Sequence, residues 1–128
     1  AIYFVGLTDS NKEVLSGDKV YEIKFPKDQL PDSVVNAFWS VTLYSVPDYR
    51  VVENKLKRYN LNNVSGLKKN SDGSLSIWLA SSLPKNAIQS NWLPTPAGKG
   101  FALTMRMYVS KKEVLDGKWF PAPIEQKK

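Results

Sequence analysis

Arg106 and Tyr108 stand two residues apart inside Phe101–Val109, a run in which apolar residues recur at every second position. Residues two apart on a strand share a face. A guanidinium and a phenol would therefore emerge together, opposite Phe101, Leu103, Met105, Met107 and Val109. A guanidinium presents a planar fork of donors that fits a carboxylate or phosphate, and a tyrosine ring offers a flat platform with a polar edge. The pair reads as an anion- or sugar-binding patch on a sheet surface. A plainer reading stands beside it: the arginine stem packs on aromatics while its head meets a carboxylate or a backbone carbonyl.

Other side chains invite the same question. In Phe38–Tyr44, alternation puts Trp39, Val41 and Leu43 on one face and Phe38, Ser40, Thr42 and Tyr44 on the other, a face suited to something wet. The stretch Asn91-Trp92-Leu93-Pro94-Thr95-Pro96 places a large aromatic between residues that exclude a helix interior and a central strand. Such a tryptophan either plugs the end of a core or lines a binding surface. By the same logic loop-borne Trp92 and Trp119 are surface candidates, and strand-borne Trp39 belongs to the core.

Several chemistries are excluded outright. The chain has no His and no Cys, so serine triads, cysteine nucleophiles, disulfides and ordinary zinc sites are impossible. Catalysis would rest on Lys, Tyr, Arg or carboxylates, of which Glu53, Asp72 and Asp116 lie nearest to turns or loops. Nothing places two of them at the separation a glycosidase needs. Asp9-Ser10-Asn11-Lys12-Glu13 carries oxygen ligands at alternate positions, but without the glycine and ligand run of a calcium loop it reads as a plain turn. The same holds for Asn70-Ser71-Asp72-Gly73-Ser74, since Asp-Gly is first a turn device. Asn63-Val64-Ser65 matches a glycosylation acceptor, a weak motif in an Asn-rich loop. No cofactor and no metal are called for.

With 128 residues, 42% of them apolar, the chain makes one domain with a real core, and no apolar run is long enough for a membrane span. The start shows no signal-peptide pattern and lacks Met, so a fragment of a longer two-domain protein stays open. The net charge of +6 is concentrated: residues 50–69 carry Arg50, Lys55, Lys57, Arg58, Lys68 and Lys69 against Glu53 alone. That segment is either a solvated lysine face or a docking patch for an anionic partner. Only three of the eighteen basic residues are Arg, which argues against nucleic acid.

The elements that must position these groups are mostly strands. Val20–Phe25 alternates and stops at Pro26; Phe38–Tyr44, Tyr49–Val52, Leu75–Leu79 and Phe101–Val109 follow, with turn signals between them. Residues 53–60 read as a short helix, Ser110–Leu115 as one helical turn, residues 81–100 as a loop and the tail from Pro121 as irregular. The fold class is all-β: a two-layer antiparallel β-sandwich with one or two short helical turns.

The ordered series Phe38-Trp39-Ser40-Val41-Thr42-Leu43-Tyr44, Asn54, Arg58-Tyr59, Asn70–Leu75, Asn91-Trp92-Leu93-Pro94, Arg106-Met107-Tyr108 and Val114–Trp119 resembles the family called domain of unknown function 1214, over about residues 18–124. The resemblance implies a jelly-roll-like sandwich, a companion N-terminal domain (domain of unknown function 1254) and an exported or periplasmic bacterial protein of the cell envelope, the cytoplasm not being excluded. It implies no established activity. One departure is local: near Asp9 the family usually has a Gly-containing turn, where this chain has Ser10-Asn11-Lys12-Glu13.

The expectation is a non-catalytic module binding a carbohydrate or other polar or anionic ligand through Tyr44, Asn54, Arg58, Asn91, Trp92, Arg106 and Tyr108. Two alternatives remain. One is an accessory domain of a two-domain hydrolase, using Asp72 or Glu53 with Arg58 or Arg106. The other is a structural domain docking a partner through residues 50–69.

Overall fold

Among the described residues, nine strands divide between two sheets. In chain order they are β1 (Ile2–Gly6), β2 (Val20–Phe25), β3 (Val35–Ser45), β4 (Arg50–Val51), β5 (Asn60–Asn62), β6 (Leu75–Ala80), β7 (Trp92–Pro94), β8 (Phe101–Ser110) and β9 (Ile124–Lys127). One helical turn, α1 (Lys112–Leu115), and 3₁₀ turns at Pro31–Val34 and Gln89–Asn91 complete the chain. The structure, a computed structural model, describes residues 2–46, 49–52, 54, 56, 58–85 and 87–127, without the side chains of residues 36, 37, 109, 110, 113 and 115.

The first sheet runs β1-β8-β3-β4, with β5 also paired to β3; the second runs β7-β6-β2-β9. Every pairing is antiparallel except β6–β7, which is parallel. The central pair of the first sheet is β3 with β8, in register from Phe38↔Tyr108 to Ser45↔Phe101. Because side chains alternate, this register points Trp39, Val41 and Leu43 inward with Phe101, Leu103, Met105 and Met107, all buried. They meet Tyr21, Ile23 and Phe25 of β2 and Leu75, Ile77 and Leu79 of β6, also buried. The expected core faces of β3 and β8 are thus in place; the side chain of Val109 lies outside the described residues.

Aromatic rings fill the core, and the polar groups of Tyr21, Trp39 and Trp119 are hydrogen-bonded there. Tyr21 meets Phe101 edge-on at 5.6 Å, and its hydroxyl accepts from the Ser16 amide at 2.9 Å. Trp39 donates its indole N–H to Asp32 Oδ1. Truncating rings this well packed costs on the order of 3–5 kcal/mol each.

Four sequence expectations need correction. The tail from Pro121 is not all irregular: its end forms β9, recruited by β2 through Ile23↔Ile124 and three further pairs. The 81–100 loop contains a 3₁₀ turn and β7. Pro94 is accommodated because β7 is an edge strand, where a missing N–H costs no ladder bond. Of the 53–60 helix, residues 53, 55 and 57 lie outside the described residues, while 54, 58 and 59 are loop, 56 is a turn residue and Asn60 opens β5. Finally, Trp119 is core, not surface: it is 6% exposed, stacks on Phe25 at 6.4 Å and 6°, and donates to the Gln29 carbonyl at 3.2 Å.

Candidate functional site

The seven candidate residues separate into two groups. Tyr44, Arg106 and Tyr108 share the outer face of the first sheet. The register sets Tyr3 of β1, Arg106 of β8 and Ser40 of β3 side by side across three strands. Small Ser40 and Thr42 leave room for the guanidinium, and both are buried beneath the longer side chains around them. Arg106 Nη2 donates to the Tyr44 hydroxyl at 3.3 Å, and the guanidinium carbon lies 5.7 Å from the centre of the Tyr3 ring. Tyr108 packs on Phe38 at 5.8 Å. Arg106 Nε is buried and has no hydrogen-bond partner, and none of the ion pairs among the described residues includes Arg106. The guanidinium is fixed in place with donors to spare. It could hold a carboxylate, sulfate or phosphate group beside exposed tyrosine rings.

Asn54, Arg58, Asn91 and Trp92 form a second group that joins the loop after β4 to the edge of the second sheet. Asn54 Nδ2 donates to the Val52 and Arg58 carbonyls at 2.9 and 2.8 Å, and its Oδ1 accepts from the Arg58 amide at 3.1 Å. Arg58 Nη1 donates to the Gln89 and Trp92 carbonyls at 2.6 and 2.9 Å, clamping the 3₁₀ turn and β7. Asn91 is 1% exposed. Its Nδ2 donates to the Lys68 and Ser76 carbonyls, and its Oδ1 accepts from the Lys68 amide and the Ser90 hydroxyl. All four of its bonding positions are taken up within the protein. Trp92 donates to the Ala80 carbonyl at 2.9 Å, beside fully buried Leu93. These four side chains brace backbone.

Of the three carboxylates considered for catalysis, the two among the described residues, Asp72 and Asp116, both sit in turns. Glu53 lies outside the described residues. Asp72 accepts from the Ser74 hydroxyl at 2.6 Å and the Ser74 amide at 3.0 Å within its own turn. Those bonds, with Lys24 nearby, hold its carboxyl below the usual range. A general acid needs the opposite shift. Asp116 is exposed after α1. Glu22, which strand alternation alone reads as a solvent-facing residue, is 9% exposed; it accepts from the Ser76 hydroxyl and pairs with Lys127 at 3.3 Å. Asn70 donates to both Ser74 and Ser76, so one polar chain runs over the outer face of the second sheet. Among the described residues no cluster of three or more acidic groups could hold a metal.

A cleft between the sheets, which no local sequence pattern marks, adds a further candidate. It opens where β1 and β9 face each other and has a volume of about 340 Å³. Its walls include Phe4, Phe25, Val41, Leu103, Met105 and Ile124, and Asp9 lies in its wall beside Thr8 and Ser10. Asp9 is 6% exposed. Its Oδ1 accepts from the Asn11 and Glu13 amides at 2.8 and 3.0 Å. The 9–13 segment is therefore the turn that was expected.

Comparison with known proteins agrees with this architecture. The model of the family described as protein of unknown function (DUF1214) matches residues 1–112. The VPA0106 protein from Vibrio parahaemolyticus superimposes with a TM-score of 0.83 at 28% identity, over 98% of this chain and 30% of that one. An uncharacterized protein from Burkholderia cenocepacia shares the fold at a TM-score of 0.61 and 17% identity, over 98% of this chain and 28% of its own. The chain thus spans less than a third of the length of either. No curated protein matches the sequence.

Proposed function

We propose, for a chain that belongs to the DUF1214 family, that it is a non-catalytic binding module taking an acidic saccharide on the outer face of its first sheet. The observation that carries this is Arg106. Its guanidinium is held by a tyrosine hydroxyl and a tyrosine ring, with a buried unpartnered Nε and no carboxylate pair among the described residues. A sugar carboxylate or sulfate would supply the missing anion, and the neighbouring rings of Tyr3 and Tyr108, 57% and 36% exposed, offer surfaces for the sugar itself. The net charge of +6 assists encounter with such a ligand.

Calorimetric titration with oligogalacturonate, and with a neutral galactose oligomer as control, tests this reading. Oligogalacturonate binding should fall about tenfold or more in Arg106→Gln, the worth of one charge-assisted contact. Arg106→Lys should recover it only in part, because an ammonium lacks the planar fork. Lys68→Gln/Lys69→Gln should leave it nearly unchanged. Equal binding by wild type and Arg106→Gln refutes the assignment, as does loss caused only by the lysine changes.

A further inference from the structure

The second feature that asks for a ligand is the cleft between β1 and β9. It shares no residue with the Arg106 site. Apolar wall surface open to water gains free energy when an apolar body covers it. Here about 340 Å³ stays open, within the range of small-molecule sites. Its walls come from the inner faces of both sheets, with Phe25 from one and Leu103 and Met105 from the other. The lip is the segment from Phe120 to Pro123, where two prolines limit backbone freedom and Phe120 stands 64% exposed.

The polar part of the wall has one unfinished group. Asp9 Oδ1 is occupied by two amides, but its Oδ2 is buried and has no hydrogen-bond partner. A buried carboxylate oxygen without a donor is costly, and native structures rarely leave one so. Ionised carboxylate oxygens accept and cannot donate. The missing partner is therefore a donor, and an anionic head would be repelled.

We propose that this cleft binds a small amphiphile, an aliphatic body carrying one hydrogen-bond-donating head, amine or alcohol, seated at Asp9. The body takes the apolar walls and the head completes Asp9. This site differs from the Arg106 face in both residues and ligand charge, so each stands or falls alone.

The two methionines of the chain provide the readout. Met105 is in the cleft wall, while Met107 on the same strand is fully buried outside it. With ¹³C-methyl labelling, octylamine and 1-octanol should shift Met105 saturably and leave Met107 nearly still. Octanoate should bind at least about tenfold more weakly than octylamine. Asp9→Asn keeps an oxygen for the Asn11 and Glu13 amides but replaces the free acceptor with a donor. It should weaken octylamine about tenfold or more and narrow the gap to octanoate. Ala122→Phe leaves Asp9 intact and fills the cleft, so it should abolish the Met105 response to every probe. This second variant keeps the test decisive should Asp9→Asn fail to fold. The proposal is overturned by a Met105 signal that does not saturate with amine or alcohol, by unchanged octylamine affinity in folded Asp9→Asn, or by binding that survives Ala122→Phe.

Discussion

Lys12 occupies a left-handed backbone conformation, with φ of 65°, in the turn where the family resemblance calls for a glycine. Left-handed geometry crowds a Cβ against the carbonyl and costs roughly 1–2 kcal/mol for a residue other than glycine. The turn holds it there: the Asp9 carboxylate takes the Asn11 and Glu13 amides, while the Asp9 amide bonds to the Glu13 carbonyl and the Lys12 amide to the Asp9 carbonyl. Glycine at this position removes the crowding but raises the entropy of the unfolded chain, which returns part of the gain. Lys12→Gly should therefore stabilise by a few tenths to about 1 kcal/mol, read as a higher urea midpoint at unchanged slope. Lys12→Ala keeps the crowding and should show no such rise. At this scale the sequence is legible where backbone geometry dictates a residue type, as at Gly73, whose φ is 88° in the expected Asp-Gly turn.

At the scale of elements, the strands read correctly from sequence were those whose own alternation exceeds any competing signal. β8 and β3 bury every second residue against the other sheet, so their period is written in the chain. β9 carries Ile124 alone as an apolar residue and becomes a strand because β2 offers it an edge. β7, three residues long, exists through its parallel pairing with β6. Long-range pairing of this kind leaves no local trace. The same limit separated the candidate residues into two groups, because a polar side chain that braces buried backbone has the same type as one that holds a ligand. Asn91 shows the difference in energy. Its truncation would leave the Lys68 amide, the Lys68 carbonyl and the Ser76 carbonyl without the amide that joins them. Asn91→Ala should cost about 3 kcal/mol or more in denaturant unfolding, while folded protein keeps its affinity for oligogalacturonate. Loss of that binding without loss of stability would return Asn91 to the ligand surface.

At the scale of the whole molecule, both sheets depend on a single core built from distant segments. Trp39 lies opposite Met107 and Tyr21 opposite Leu79 in their sheets, and among the described residues the first strand, β1, pairs with β8 alone. Trp119 then ties the layers together, stacked on Phe25 of one sheet and edge-on to Phe4 of the other at 6.1 Å. Neither sheet can bury its inner face alone, so intermediates with one sheet formed gain little to offset the entropy of closing such loops. Unfolding should be cooperative, with far-ultraviolet dichroism and tryptophan fluorescence giving coincident transitions in urea. Refolding should fall in the millisecond-to-second range typical of folds dominated by non-local strand pairing. Phe4→Ala removes the ring of β1 that meets Trp119, in the wall of the cleft, and should lower the midpoint while preserving coincidence. Two separated transitions in that variant would show that the sheets hold together independently and that the core is not shared.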